Sequence, residues 1–181
     1  MNNKKGAMEM SVGTIVTIVL LMMVLVLGVI LIQKIFSGAI NVVDMTNDQL
    51  ENQVNELFGE DKDLVILPAS REIKIKHEEQ GAFGIGIKNN LKGVSGTKVF
   101  SYEVVVTDVG NCGVDEEEID GWIIVGKSGS NIPIAVGKSV ADKVKIEIPA
   151  GAPICTFKLR INVDAEGDSY ATDIVFVEIN G

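Results

Sequence analysis

The sequence predicts a chain that is α+β by content. One long N-terminal helix crosses a membrane and continues as a stalk, and an all-β antiparallel sandwich follows it. Three observations predict this. No charged residue occurs from Ser11 to Gln33, and apolar residues fill the run almost without a break from Val12 to Ile32. Apolar residues then recur at alternating four- and three-residue steps from Phe36 to Leu57. From residue 64 onward the period changes to two, with apolar and polar residues alternating strictly in runs such as Lys143–Ile148 and Cys155–Val163. These periods define five segments: a basic start over residues 1–11, a membrane span over 12–33, an amphipathic stalk over 34–58, a linker over 59–63 and a β domain over 64–181.

The span comes first. A helix rises about 1.5 Å per residue, so roughly 22 residues reach about 33 Å, close to the ~30 Å hydrocarbon thickness of a bilayer. The partner implied is the lipid bilayer. The apolar core is longer than that of a cleaved secretory signal, although Ser37-Gly38-Ala39 offers a small-x-small site. Lys4 and Lys5 precede the run, and basic residues stay on the cytoplasmic side. The expected topology is N-terminus inside and β domain outside.

In the stalk, Phe36, Ile40, Val43, Asn47, Leu50, Val54 and Leu57 would share one seam of a helix whose other side is polar. Such a seam serves self-association, with Asn47 setting register, or it packs on the chain's own β domain. Gly59 and the charged run Glu60-Asp61-Lys62-Asp63 end the pattern.

Nine short runs beyond it read as strands. They are Leu64–Leu67, Ile73–Ile75, Phe83–Ile87, Val99–Thr107, Trp122–Val125, Ile132–Val136, Lys143–Ile148, Cys155–Val163 and Ala171–Ile179. Asn89-Asn90, Val109-Gly110-Asn111, Ser128-Gly129-Ser130, Pro149-Ala150-Gly151 and Ala165–Asp168 read as the turns between them. A two-residue period puts one face on a core, and many short strands without intervening helices predict a sandwich of immunoglobulin-like type.

The start of the chain carries a resemblance. Lys4-Lys5-Gly6-Ala7-Met8-Glu9, followed by Val12-Gly13-Thr14-Ile15-Val16, resembles the class III signal of archaeal type IV pilins and archaellins. In that family a prepilin peptidase cuts after the glycine that precedes the apolar helix. The resemblance implies a processing site at Lys5, Gly6 and Ala7, with that peptidase as a partner and Ala7 as the first mature residue. It covers about the first 35 residues. Many pilins carry a glutamate five residues after the cut, whereas Glu9 here would be third. Archaellins and several archaeal pilins join such a helix to an immunoglobulin-like β domain, so the resemblance implies a non-enzymatic cell-surface subunit. The same plan also describes an uncleaved single-pass protein that presents a binding or adhesion domain.

Composition narrows the function classes. From residue 59 on, 13 Lys/Arg stand against 20 Asp/Glu, and the whole chain has a net charge of −9. An acidic surface repels phosphate backbones, so no nucleic-acid partner is expected. Cys112 and Cys155 fall in the exported part, where they form either a disulfide or two separate thiols. Gly121-Trp-Ile-Ile-Val-Gly126-Lys127-Ser128 matches the letters of a phosphate-binding P-loop. Its four interior residues read as a strand rather than a flexible loop, so no nucleotide is expected. The acidic run with Asp115, Glu117 and Asp120 is a weak calcium candidate, read first as a solvated loop. His77 is the lone histidine, too little for a triad or a multi-histidine zinc site. No cofactor and no catalytic residue is expected.

Overall fold

The computed structural model describes residues 12–36, 42–59, 62–93 and 95–181. The chain forms two units, Met1–Ala39 and Ile40–Gly181. In the first, α1 runs from Val12 to Phe36 and presents apolar side chains all round. Its large apolar residues between Ile15 and Ile30 are exposed, Met22 and Leu25 by about two-thirds (65% and 66%). The Thr17 hydroxyl donates to the Gly13 carbonyl at 2.7 Å, so this polar side chain is satisfied within the helix.

The second unit is a mostly β domain of two sheets. Its strands are β1 (Leu64–Leu67), β2 (Glu72–Lys76), β3 (Gln80–Lys88), β4 (Thr97–Asp108), β5 (Ile123–Val125), β6 (Ser128–Ala135), β7 (Ser139–Glu147), β8 (Thr156–Ala165) and β9 (Asp168–Asn180). One sheet has the order β1-β3-β7-β5 and the other β2-β9-β8-β4-β6. The alternation sends Phe83, Ile85, Val144 and Ile146 from the first sheet into one core. There they meet Phe100, Val104, Phe157, Leu159, Ile161, Val175 and Val177 from the second.

The chain changes sheets at every step from β1 to β8; the step from β1 to β2 passes a cis Leu67–Pro68 bond, and the step from β5 to β6 turns at Gly126. A Cβ on Gly126, whose φ is +73°, would lie 2.3 Å from the Lys143 carbonyl oxygen, so this corner admits only glycine. The first crossing corrects the expectation of wholly antiparallel strands. It brings β2 alongside the terminal strand β9 in parallel, from Glu72 opposite Phe176 to Lys76 opposite Asn180. Two local readings also change. Ser128-Gly129-Ser130 opens β6 instead of forming a turn. Trp122 caps a short helix, α3 (Glu116–Gly121), instead of starting a strand.

The stalk differs most from expectation. A continuous helix over 34–58 is not formed: a 3-10 turn occupies Val42–Asp44, Met45 and Thr46 are not helical, and α2 runs only from Asn47 to Leu57. The start of α2 is specified locally. The Gln49 N–H donates to the Thr46 hydroxyl at 3.3 Å, and the Thr46 N–H donates to Gln49 Oε1 at 3.0 Å. This capping box satisfies two otherwise orphaned donors and fixes the helix entry.

The buried face of α2 then packs on the outer face of the β1-β3-β7-β5 sheet. Leu50 and Val54 are 1% and 0% exposed, and they cluster with Val42, Val65, Leu67 and Ala82. The sequence of β3 explains the fit. Phe83, Ile85 and Ile87 face the core, while Ala82, Gly84 and Gly86 form the opposite face. A Cβ on Gly84 would lie 2.5 Å from Leu50 Cδ1, and one on Gly86 would lie 2.1 Å from Val54 Cγ1. The two glycines make the slot that the helix fills. Polar anchors hold its ends. The Lys143 ammonium donates to the Val43 carbonyl at 3.3 Å and also to that of Met45, and the Ser139 hydroxyl bonds Asn55 Oδ1 at 2.5 Å.

Gly86→Val should therefore cost about 3 kcal/mol of stability through overpacking. Gly93→Val is unsuitable as a control because its φ is +76°, whereas Gly59 has open space around it. The check is the urea midpoint of Gly86→Val against that of Gly59→Ala, which should stay near the parent's.

Candidate functional site

The features that could carry function are the uncovered helix α1, the junction that holds α2 to the β domain, and the loop around the two cysteines. The apolar window of α1 from Gly13 to Ile30 is long and apolar enough to cross a membrane, and none of it is buried within the protein. A helix apolar on every side has no face suited to water. The proposed processing residues Lys5, Gly6 and Ala7 lie outside the described residues.

The seam residues separate in the structure. Leu50 and Val54 are buried under their own domain, and Val43 and Leu57 pack partly against the same cluster. Asn47 is exposed, so it does not occupy a buried register position. Ile40 lies outside the described residues, as does the side chain of Phe36. The expected seam is thus consumed within the chain over Val43–Leu57. The T-x-x-Q pattern at Thr46–Gln49 and the small residues on alternate positions of β3 were the signals that sequence reasoning passed over.

After α2 a polar knot clamps the linker to the sheets. The Lys88 N–H donates to the Asp63 carbonyl at 2.9 Å, and Asn90 Nδ2 donates to the Lys62 carbonyl at 2.9 Å. The Tyr170 hydroxyl donates to the Lys88 carbonyl at 2.8 Å and accepts from the Asn90 N–H at 3.0 Å. Residues 62–63 of the expected linker are therefore part of the domain.

Cys112 and Cys155 are joined by a disulfide, with their Cα atoms 4.9 Å apart and both residues buried. The bond ties the loop after β4 to the start of β8. In the same core lie Ile119 on α3 and Trp122, and Trp122 meets the Phe157 ring edge-on at a centroid distance of 5.8 Å.

The acidic run does not form the expected loop. Asp115 is the N-cap of α3, and Glu116, Glu117 and Glu118 occupy its first turn, where carboxylates favour the positive end of the helix dipole. The Asp120 carboxylate pairs with Lys127. Among the described residues no three His, Cys, Asp or Glu side chains gather as a metal site, so Asp115, Glu117 and Asp120 are not brought together as calcium ligands. The same ion pair occupies the lysine of the P-loop lettering. Ile123–Val125 is a strand, and a second strand begins at Ser128, where phosphate binding would need a helix. His77 follows β2, and its Nε2 is buried without a partner.

Three carboxylates on the β domain are held below their ordinary range. Asp108 is held by hydrogen bonds from Lys158 and the Gly110 N–H, Glu166 by the Val99 N–H and then Lys98, and Glu178 by Lys74. All three are solvent-facing, which keeps their weight in stability small. Both tyrosines shift the other way. Burial, with a 2.6 Å hydrogen bond to Asp142, pushes the Tyr102 hydroxyl well above the usual phenol range, and burial raises Tyr170.

A raised phenol pKa gives stability that is intact below the unfolded value near 10 and is lost as pH rises above it. An ultraviolet titration of the folded protein should accordingly show neither tyrosine ionising near pH 10. Tyr102→Phe should remove one of the two ionisations, and the native protein should lose stability on the alkaline side. A full phenolate signal by pH 10 in the folded state would contradict this.

No protein-family model and no curated protein matches the sequence. Among solved structures the chain is similar to a Niemann-Pick type C2 protein from Japanese carpenter ant, at 13% identity and a TM-score of 0.40, covering 66% of this chain and 90% of that one. It is also similar to the CARDB domain of the PF1109 protein from Pyrococcus furiosus, in complex with di-metal ions. That match has 14% identity and a TM-score of 0.36, and covers 75% and 100% of the two chains. A family 123 glycoside hydrolase from Clostridium perfringens matches at 14% identity and a TM-score of 0.39, over 60% of this chain. The chain spans 23% of the length of that hydrolase. At these values the likenesses assign no function.

Proposed function

We propose that this chain is a membrane-inserted, non-enzymatic cell-surface subunit of the type IV pilin-like or archaellin-like kind. In this reading α1 is held in the bilayer, the N-terminus is cytoplasmic, and an immunoglobulin-like sandwich is displayed outside. The observation that carries the reading is the uncovered, all-round apolar window from Gly13 to Ile30 ahead of a separate β domain. The Lys4-Lys5-Gly6 pattern adds the processing step: a prepilin peptidase cuts after Gly6, and α1 becomes the N-terminal assembly element. Self-association then runs through α1, because Leu50 and Val54 of the stalk are already covered by the chain's own sheet.

The test is N-terminal sequencing of the membrane fraction of the native host. Ala7 is expected as the first residue, and Gly6→Val should leave the precursor uncut. An intact N-terminus on mature surface protein would overturn the processing step.

A second reading is an uncleaved single-pass protein presenting the sandwich for binding or adhesion. Burial of the stalk seam favours it, since one surface available for assembly is removed. Electron microscopy of sheared cell surfaces separates the two readings, with filaments containing this chain expected only under the first.

A further inference from the structure

We draw no further inference here: the strongest candidate, the open cleft of about 340 Å³ between β4 and α3 lined by Val105, Val106, Glu116, Glu117 and Asp120, is an acidic cluster whose Asp120 is already paired with Lys127, and nothing else in the structure points to a ligand there.

Discussion

Replacing Leu50 and Val54 together by aspartate is expected to lower the unfolding free energy of the β domain by more than about 4 kcal/mol at neutral pH. Both side chains are essentially without solvent contact, seated over Gly84 and Gly86 and against Val65 and Leu67. A truncation at one such site costs roughly 2–5 kcal/mol, and a carboxylate placed there adds a desolvation cost. The helix would leave the sheet and expose Val65, Leu67 and Ala82 to water. The measurement is urea unfolding of the chain in detergent micelles, followed by the fluorescence of Trp122, the single tryptophan. Asn47→Asp with Asn52→Asp, both on the exposed side of α2, should change the midpoint little, within about 0.5 kcal/mol. The loss should also be independent of protein concentration, because the contact is within one chain. A concentration-dependent loss, or an unchanged midpoint with fewer crosslinked dimers, would restore the intermolecular seam.

Removing the disulfide is the second large effect. Cys112 and Cys155 close a loop spanning 43 residues. On the chain-entropy account that closure stabilises the folded state by about 4 kcal/mol, since the reduced unfolded chain regains the freedom of the loop. The double substitution Cys112→Ser with Cys155→Ser is expected to show this loss in urea. The parent protein should show a similar loss when unfolded in reductant. Both cysteines are buried in the same core cluster as Ile119 and Trp122, so part of the cost of the double serine variant comes from placing hydroxyls in an apolar site. Comparing the reduced parent with the double variant separates that part. Equal midpoints for oxidised and reduced parent would mean that the bond contributes nothing.

The two effects act at opposite ends of what the sequence makes readable. A strand such as Phe157–Val163 announces itself, because a two-residue period can bury only one face. Its register with β9, from Phe157 opposite Val177 to Val163 opposite Ala171, needs only that both apolar sets face the same core. The stalk was harder to read. The spacing of Val43, Leu50, Val54 and Leu57 marks one face of a helix, but the same spacing serves a second copy of the chain or a sheet. The choice lies in β3, some thirty residues away, where two glycines leave room for Leu50 and Val54. The acidic helix α3 was missed for a related reason. Glu116–Gly121 is too short for a helical period, and it is held because Ile119 and Trp122 reach the core.

By itself, the sequence determined that this chain pairs an uncharged, membrane-length helix with a β domain. Both follow from local periodicity and from the exclusion of charge from hydrocarbon. Only the tertiary structure decided that the stalk is a docked layer of that domain, that β2 runs parallel to β9, and that Asp120 is neutralised by Lys127. The first two depend on residues far apart in the chain arriving at one place, whereas the ion pair joins residues only seven positions apart. A local pattern shows which face of a segment is apolar, and packing selects the surface that covers it.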